Sequence, residues 1–152
     1  MKSPVPFFFL LALTVYGFDQ ATKLAVVRSL HLFQVVPVLP FFNLVYYQNT
    51  GSAFGMFRGL GNHFFIVISI AAVVGVSVML IRDARNRLAF ALILGGAAGN
   101  VTDRIVRGAV VDFLEVYIWK FPWPAFNVAD SALTVGIILL MITAVVDSRR
   151  QG

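Results

Sequence analysis

The chain has no cysteine, so it can form neither a disulfide frame nor a thiolate metal site. Its two histidines, His31 and His63, are far apart, and no metal and no cofactor is expected from them. Charge is scarce as well: 12% of the 152 residues are charged, against 59% hydrophobic. That balance excludes an ordinary soluble globular domain, where about a quarter of residues are charged. The mean hydropathy of +0.86 points to a chain solvated mostly by lipid. A net charge of +5 would suit nucleic acid, but no basic stripe interleaved with aromatics occurs, and no nucleic-acid partner is expected. The arginines stand instead at the ends of apolar runs, where they set membrane orientation. Repeats and low-complexity tracts are absent, and the length predicts a single domain over residues 1–152.

What the chain does have is four apolar segments, near residues 4–27, 62–81, 88–105 and 127–146. Each is close to the roughly 20 residues that a bilayer crossing needs. The first starts like a signal peptide, with Lys2 before FFFLLALTVYGF. No small-x-small cleavage site follows, and the helical pattern continues through Asp19 and Lys23, so it reads as a retained membrane helix. Lys2, Arg82, Arg85, Arg87, Arg149 and Arg150 fall on one side of a four-pass arrangement. Arg28, Arg58, Arg107 and Lys120 fall on the other, spread along longer connections. Basic density in the short connectors puts both termini in the cytoplasm.

That orientation brings Asp19 and Lys23, then Asn100, Asp103 and Arg104, then Asn127 and Asp130 to the outer ends of three segments. Ionisable residues within membrane segments normally face a bundle interior or cavity and mark function. Val35 to Phe57 is rich in aromatic and β-branched residues and broken by Pro37, Pro40 and Asn49-Thr50-Gly51, which predicts short strands with turns. A second strand-like run covers Val110 to Trp119, with Pro122 and Pro124 expected to break it. Open strand edges cannot face hydrocarbon, so this material belongs at the headgroup level. Trp119, Phe121, Trp123 and Phe126 read as an interfacial aromatic belt.

The stretch from Gly99 to Asp130 carries four of the seven acidic residues: Asp103, Asp112, Glu115 and Asp130. Asp19 and Lys23, four apart on a helix, form a structural pair that neutralises itself within the membrane. Asn100, Asp103, Arg104 and Arg107 make a polar stripe, with an Asp103–Arg104 pair expected at its outer end. Gly95 and Gly99 form a small-xxx-small face for close helix packing. Asp130 follows Asn127 by three, the spacing of a helix cap with an acid in the first turn.

Taken together, Asp112 leaves the third segment and Asp130 enters the fourth, so both can meet at one interface. Two neighbouring carboxyl groups do not both ionise easily, and a pair sharing one proton suits amide hydrolysis. The residues alone leave other classes open. A small proton- or ion-coupled transporter would use the intramembrane Asp, Lys and Arg as relay groups, and an assembly subunit would use the glycine face.

The segments DQATK (Asp19 to Lys23), NTGSAFG (Asn49 to Gly55), GNVTDR (Gly99 to Arg104), VVDF (Val110 to Phe113) and FNVAD (Phe126 to Asp130) occur in the order found in bacterial lipoprotein signal peptidases. The chain resembles that family, also called signal peptidase II, over nearly its whole length. The resemblance implies an all-α membrane protein: a four-transmembrane-helix bundle with a small β-rich cradle at the outer membrane surface. It implies an intramembrane aspartic endopeptidase of the bacterial cytoplasmic (inner) membrane, and a monomer in contact with membrane lipid is expected. Such an enzyme removes the signal peptide from diacylglyceryl-modified prolipoproteins, cutting just before the lipidated cysteine near the outer, periplasmic face. The catalytic aspartates then fall on Asp112 and Asp130. Asn49, Asn100, Asp103, Arg104 and Asn127 form the polar surround, with Gly51 allowing close approach in the cradle.

Overall fold

The computed structural model describes residues 4–50 and 61–151. Gly51 and Gly55 therefore lie outside the described residues. The helices α1 (Val5–Ser29), α2 (Gly61–Arg82), α3 (Arg87–Arg107) and α4 (Val128–Gln151) are all long and apolar enough to cross a membrane. Their ends follow local chemistry. Pro4 occupies the N-cap of α1, and its missing N–H costs nothing where no intrahelical partner exists. Gly108 ends α3 in the left-handed conformation, φ 77°, which a residue without Cβ adopts freely. At the other end of the bundle Asp83 accepts hydrogen bonds from the backbone of Arg85 and Asn86, which tightens the turn between α2 and α3. An ion pair from Arg85 to Asp147 then ties that turn to α4.

The third helix is the centre of the bundle. Its apolar window has a mean hydropathy of 1.2 and is 67% buried, whereas α2 reaches 2.9 with 6% buried. The contrast follows from solvent: a helix facing lipid on most sides must be apolar all round, while one enclosed by protein can carry polar and small residues. Glycines make that enclosure tight. A Cβ on Gly95 would lie 2.5 Å from the Ala12 carbonyl oxygen of α1, and one on Gly96 would lie 2.5 Å from the Ala129 carbonyl oxygen of α4. On the opposing helix, Gly136 sits against Ile93 and the Ala89 carbonyl in the same way.

A four-stranded antiparallel sheet, in the order β1-β2-β3-β4, covers one end of the bundle. Its strands are β1 (Val35–Leu39), β2 (Phe42–Asn49), β3 (Val110–Ile118) and β4 (Phe121–Pro122). The central pairing joins β2, which follows α1, to β3, which follows α3, with Asn49 opposite Val110 and Tyr47 opposite Asp112. Sequence-distant strands are thus zipped together beside the helix ends. Pro37 sits in β1 and Pro122 in β4, both edge strands, where a residue without N–H removes no central ladder bond.

The strand-like run ends at Ile118, one residue short of the expected Trp119, but what ends it differs from expectation. The chain reverses at Trp119 and Lys120, with Trp119 at φ 62°, and Pro122 lies within β4. Phe121 and Pro122 then pair back onto Ile118 and Tyr117. The aromatic belt also divides: Trp119 and Phe121 are exposed, at 95% and 78%, while Trp123, itself partly exposed, and Phe126 line a cavity.

Candidate active site

Buried polar side chains gather where the sheet meets α1, α3 and α4. Lys23, Asp19, Asp103 and Asn127 are fully buried, and Asn100 and Asp112 nearly so. Lys23 is the densest point. Its Nζ lies 2.8 Å from Asp19 Oδ2 and 3.0 Å from Asp103 Oδ2, and donates to Asn100 Oδ1 at 3.0 Å. An ammonium has three hydrogens, and here each has an acceptor. The expected Asp19–Lys23 pair is therefore one side of a larger cluster.

The carboxylates of that cluster reach on to backbone. Asp19 Oδ1 accepts from the Ala129 N–H at 2.9 Å, and Asp103 Oδ2 accepts from the Val111 N–H at 3.0 Å. Asp103 Oδ1 is paired with Arg107. This corrects the expected Asp103–Arg104 pair. Neighbouring residues on a helix point in different directions, whereas residues four apart share a face. Asp103 and Arg107 turn toward α1, and Arg104 turns into the cavity with its guanidinium 5.6 Å from the Phe65 ring centre.

Asn127 and Asp130 form a reciprocal cap on α4. The Asp130 N–H donates to Asn127 Oδ1 at 2.9 Å, and the Asn127 N–H donates to Asp130 Oδ2 at 3.3 Å. Capping and site chemistry use different atoms of the same residues. Asn127 Nδ2 donates to Asp112 Oδ1 at 2.8 Å, so one side chain spans both aspartates. Asn49 Nδ2 donates to Asp112 Oδ2 at 3.1 Å, and Asn100 Nδ2 donates to Asp130 Oδ1 at 2.7 Å. Asp112, Asp130, Asn49 and Arg104 then line one cavity of about 690 Å³, walled by Trp123, Phe126 and Val135.

Asp112 is brought there by β3 and Asp130 by the first turn of α4. Burial, with the charge of Asp130 added, pushes the Asp112 carboxyl up from 3.8 to about 7. Hydrogen bonds from Asn49 and Asn127 and the charge of Lys23 oppose that rise. The fourth acid of the stretch, Glu115, stands apart and accepts from Asn43 Nδ2 at 2.9 Å. Gln20 was missed by sequence reasoning. Its Nε2 donates to Asp19 Oδ2, the Gly99 carbonyl and Asp103 Oδ1 at 3.1, 3.2 and 3.3 Å, although its only signal was a place beside Asp19.

Fold and site together define a multi-pass membrane protein whose buried polar network opens on one carboxylate-lined cavity. The chain belongs to the signal peptidase II family: the family described as Signal peptidase (SPase) II matches residues 11–146. It is 45% identical over 123 residues to the lipoprotein signal peptidase of Thermodesulfovibrio yellowstonii, covering 81% of this chain and 84% of that protein. Against the lipoprotein signal peptidase of Geobacter metallireducens it is 42% identical over 141 residues, covering 88% and 87%. A solved structure described as a bacterial membrane enzyme at 2.3 Å superposes with a TM-score of 0.90 and 33% identity, covering 99% of this chain and 94% of that one. A second, described in the same words at 1.9 Å, gives 0.84 and 34%, covering 94% and 95%. The chain is thus a bacterial multi-pass membrane protein and a peptidase.

Proposed function

We propose that this peptidase is an aspartic endopeptidase that removes the signal peptide from diacylglyceryl-modified prolipoproteins, cutting just before the lipidated cysteine. One observation carries the reading: Asp112 and Asp130 come from separate elements, share Asn127, and face one cavity with a mostly apolar wall. The printed names of the relatives, lipoprotein signal peptidases, supply the substrate class.

In this reading the pair holds one proton, and Asp112, raised to about 7, carries it in the active form. Asp130, as carboxylate, takes a proton from a water molecule, whose oxygen attacks the scissile carbonyl carbon. Asp112 gives its proton to the carbonyl oxygen, forming a neutral tetrahedral intermediate. On collapse the C–N bond breaks, Asp130 returns its proton to the leaving amine, and Asp112 takes one back from a hydroxyl of the intermediate. Asn49, Asn100 and Asn127 hold the carboxyl groups in place through the hydrogen bonds given above. Arg104 faces the substrate across the cavity. In the same reading the enzyme works as a monomer in contact with membrane lipid.

The density of basic residues supports a cytoplasmic placement of both termini in the bacterial inner membrane, with the cavity near the outer face. The test is direct. Purified protein in detergent is expected to shorten a diacylglyceryl-modified precursor and to spare its unmodified counterpart. Asp112→Asn and Asp130→Asn are each expected to stay folded and to lose cleavage by about 100-fold or more. Turnover retained in either variant would remove the catalytic assignment.

A further inference from the structure

Lys23 lies outside the cavity, yet the site can be traced outward from its ammonium along three routes. Through Asp19, one route ends on the N–H of Ala129, the residue before Asp130. Through Asp103, another ends on the N–H of Val111, the residue before Asp112. Through Asn100, the last ends on the Asp130 carboxylate itself. Each aspartate is therefore preceded by a backbone amide that a buried carboxylate grips, and one cation holds both carboxylates.

The third route also decides which way an amide faces. An ammonium donates and never accepts. With Nζ 3.0 Å from its side-chain oxygen, Asn100 must present that oxygen to Lys23 and its NH₂ to Asp130. That orientation gives Asp130 Oδ1 a hydrogen-bond donor and fixes where its carboxyl group points. The cluster is also self-neutralising: Asp19 and Asp103 are matched by Lys23 and Arg107.

We propose that Lys23 is the positioning residue of the aspartate pair, setting its geometry through Asp19, Asp103 and Asn100. This rests on the reading of Asp112 and Asp130 as the reacting pair. The charged groups that face the pair are Asp19 and Lys23 from α1, with Asp103, Arg104 and Arg107 from α3. Removing the Lys23 charge takes away a cation that opposes the upward push on Asp112.

Lys23→Met is the direct test. Asp19→Asn/Lys23→Met is its partner, because it removes one charge of each sign and leaves Asp103 with Arg107. Both are assayed on the lipidated precursor beside Asp112→Asn, with thermal melting followed in detergent. We expect KM within about threefold of the native value and kcat down about 100-fold, the scale of loss for a misplacement near 1 Å. In Lys23→Met the alkaline limb of the rate profile should also move to higher pH. Asn100→Ala, which cuts only the third route, should lower kcat, and adding Lys23→Met should give less than the product of the separate losses.

Native kcat in a folded charge-neutral variant would overturn the proposal, as would a loss lying wholly in KM. If these variants do not fold, Lys23→Arg decides, since its planar fork cannot reproduce the three contacts of the ammonium: native kcat overturns the proposal, and a reduced kcat at unchanged KM supports it. Cleavage by Asp112→Asn would instead overturn the catalytic assignment, so the two failures are told apart.

Discussion

A carboxyl group raised to about 7 makes Asp112 a residue through which pH acts on this protein near neutrality. The folded chain keeps a proton there that the unfolded chain releases near the ordinary value of 3.8. Between those values the unfolded state binds fewer protons, so the stability contribution of Asp112 falls as pH rises and levels off above about 7. In Asp112→Asn that slope disappears. Its melting temperature relative to the native chain is expected to climb from pH 4 to about 7 and then stay flat, as read by thermal melts in detergent. A flat difference across the range would contradict the raised carboxyl. Activity follows the same proton: kcat/KM should drop about tenfold per pH unit above the alkaline limb near 7. Residue chemistry of this kind was half legible beforehand. The three-residue spacing of Asn127 and Asp130 announced a cap, and the cap is there. Nothing in that spacing told that Asn127 would also reach Asp112, since its Nδ2 is aimed by tertiary packing.

At the scale of elements, the fit of α4 against α3 sets the distance between the aspartates. Gly96 allows that fit, because a Cβ there would meet the Ala129 carbonyl oxygen at 2.5 Å and Leu133 Cγ at 3.0 Å. Gly96→Val should push α4 away one residue before Asp130. We expect a loss of about 1–3 kcal/mol in stability from overpacking and about 100-fold in kcat from misalignment. Gly75→Ala on α2 is the control, since a Cβ there meets nothing within 4 Å, and it should leave melting and cleavage unchanged. Equal behaviour of the two variants would mean that helix approach at Gly96 does not matter. Helices were the most legible elements, because continuous apolar runs bounded by arginines leave little else for a chain to do in lipid. The turn at Trp119 was not legible. Prolines at 122 and 124 were the stronger local signal, yet a positive φ at a tryptophan is tolerated there because the short pairing of β4 with β3 holds it.

For the whole molecule, the sheet and cavity occupy one end of the bundle and the arginine-rich connector the other. The proposed orientation makes a plain forecast. The chain has no cysteine, so each introduced one is unique. A membrane-impermeant maleimide should label His31→Cys, at the exposed sheet end, in cells whose outer membrane is opened. Ser148→Cys, exposed near the end of α4, should react only after the inner membrane is broken. The reverse pattern would invert the topology and place the cavity on the cytoplasmic side.

Composition and order alone determined that this chain lives in lipid, that it crosses in four helices, and that its costly polar groups belong to one depth. Those conclusions need only the free energy of moving apolar and charged groups between water and hydrocarbon, which each residue carries with it. The tertiary structure decided the partners: Asp103 with Lys23 and Arg107 in place of Arg104, Asn127 across both aspartates, and Gln20 within the ion cluster. Hydrogen bonds and ion pairs are directional and short, so they exist only once α1, α3, α4 and β3 have been packed to within a few ångströms of one another.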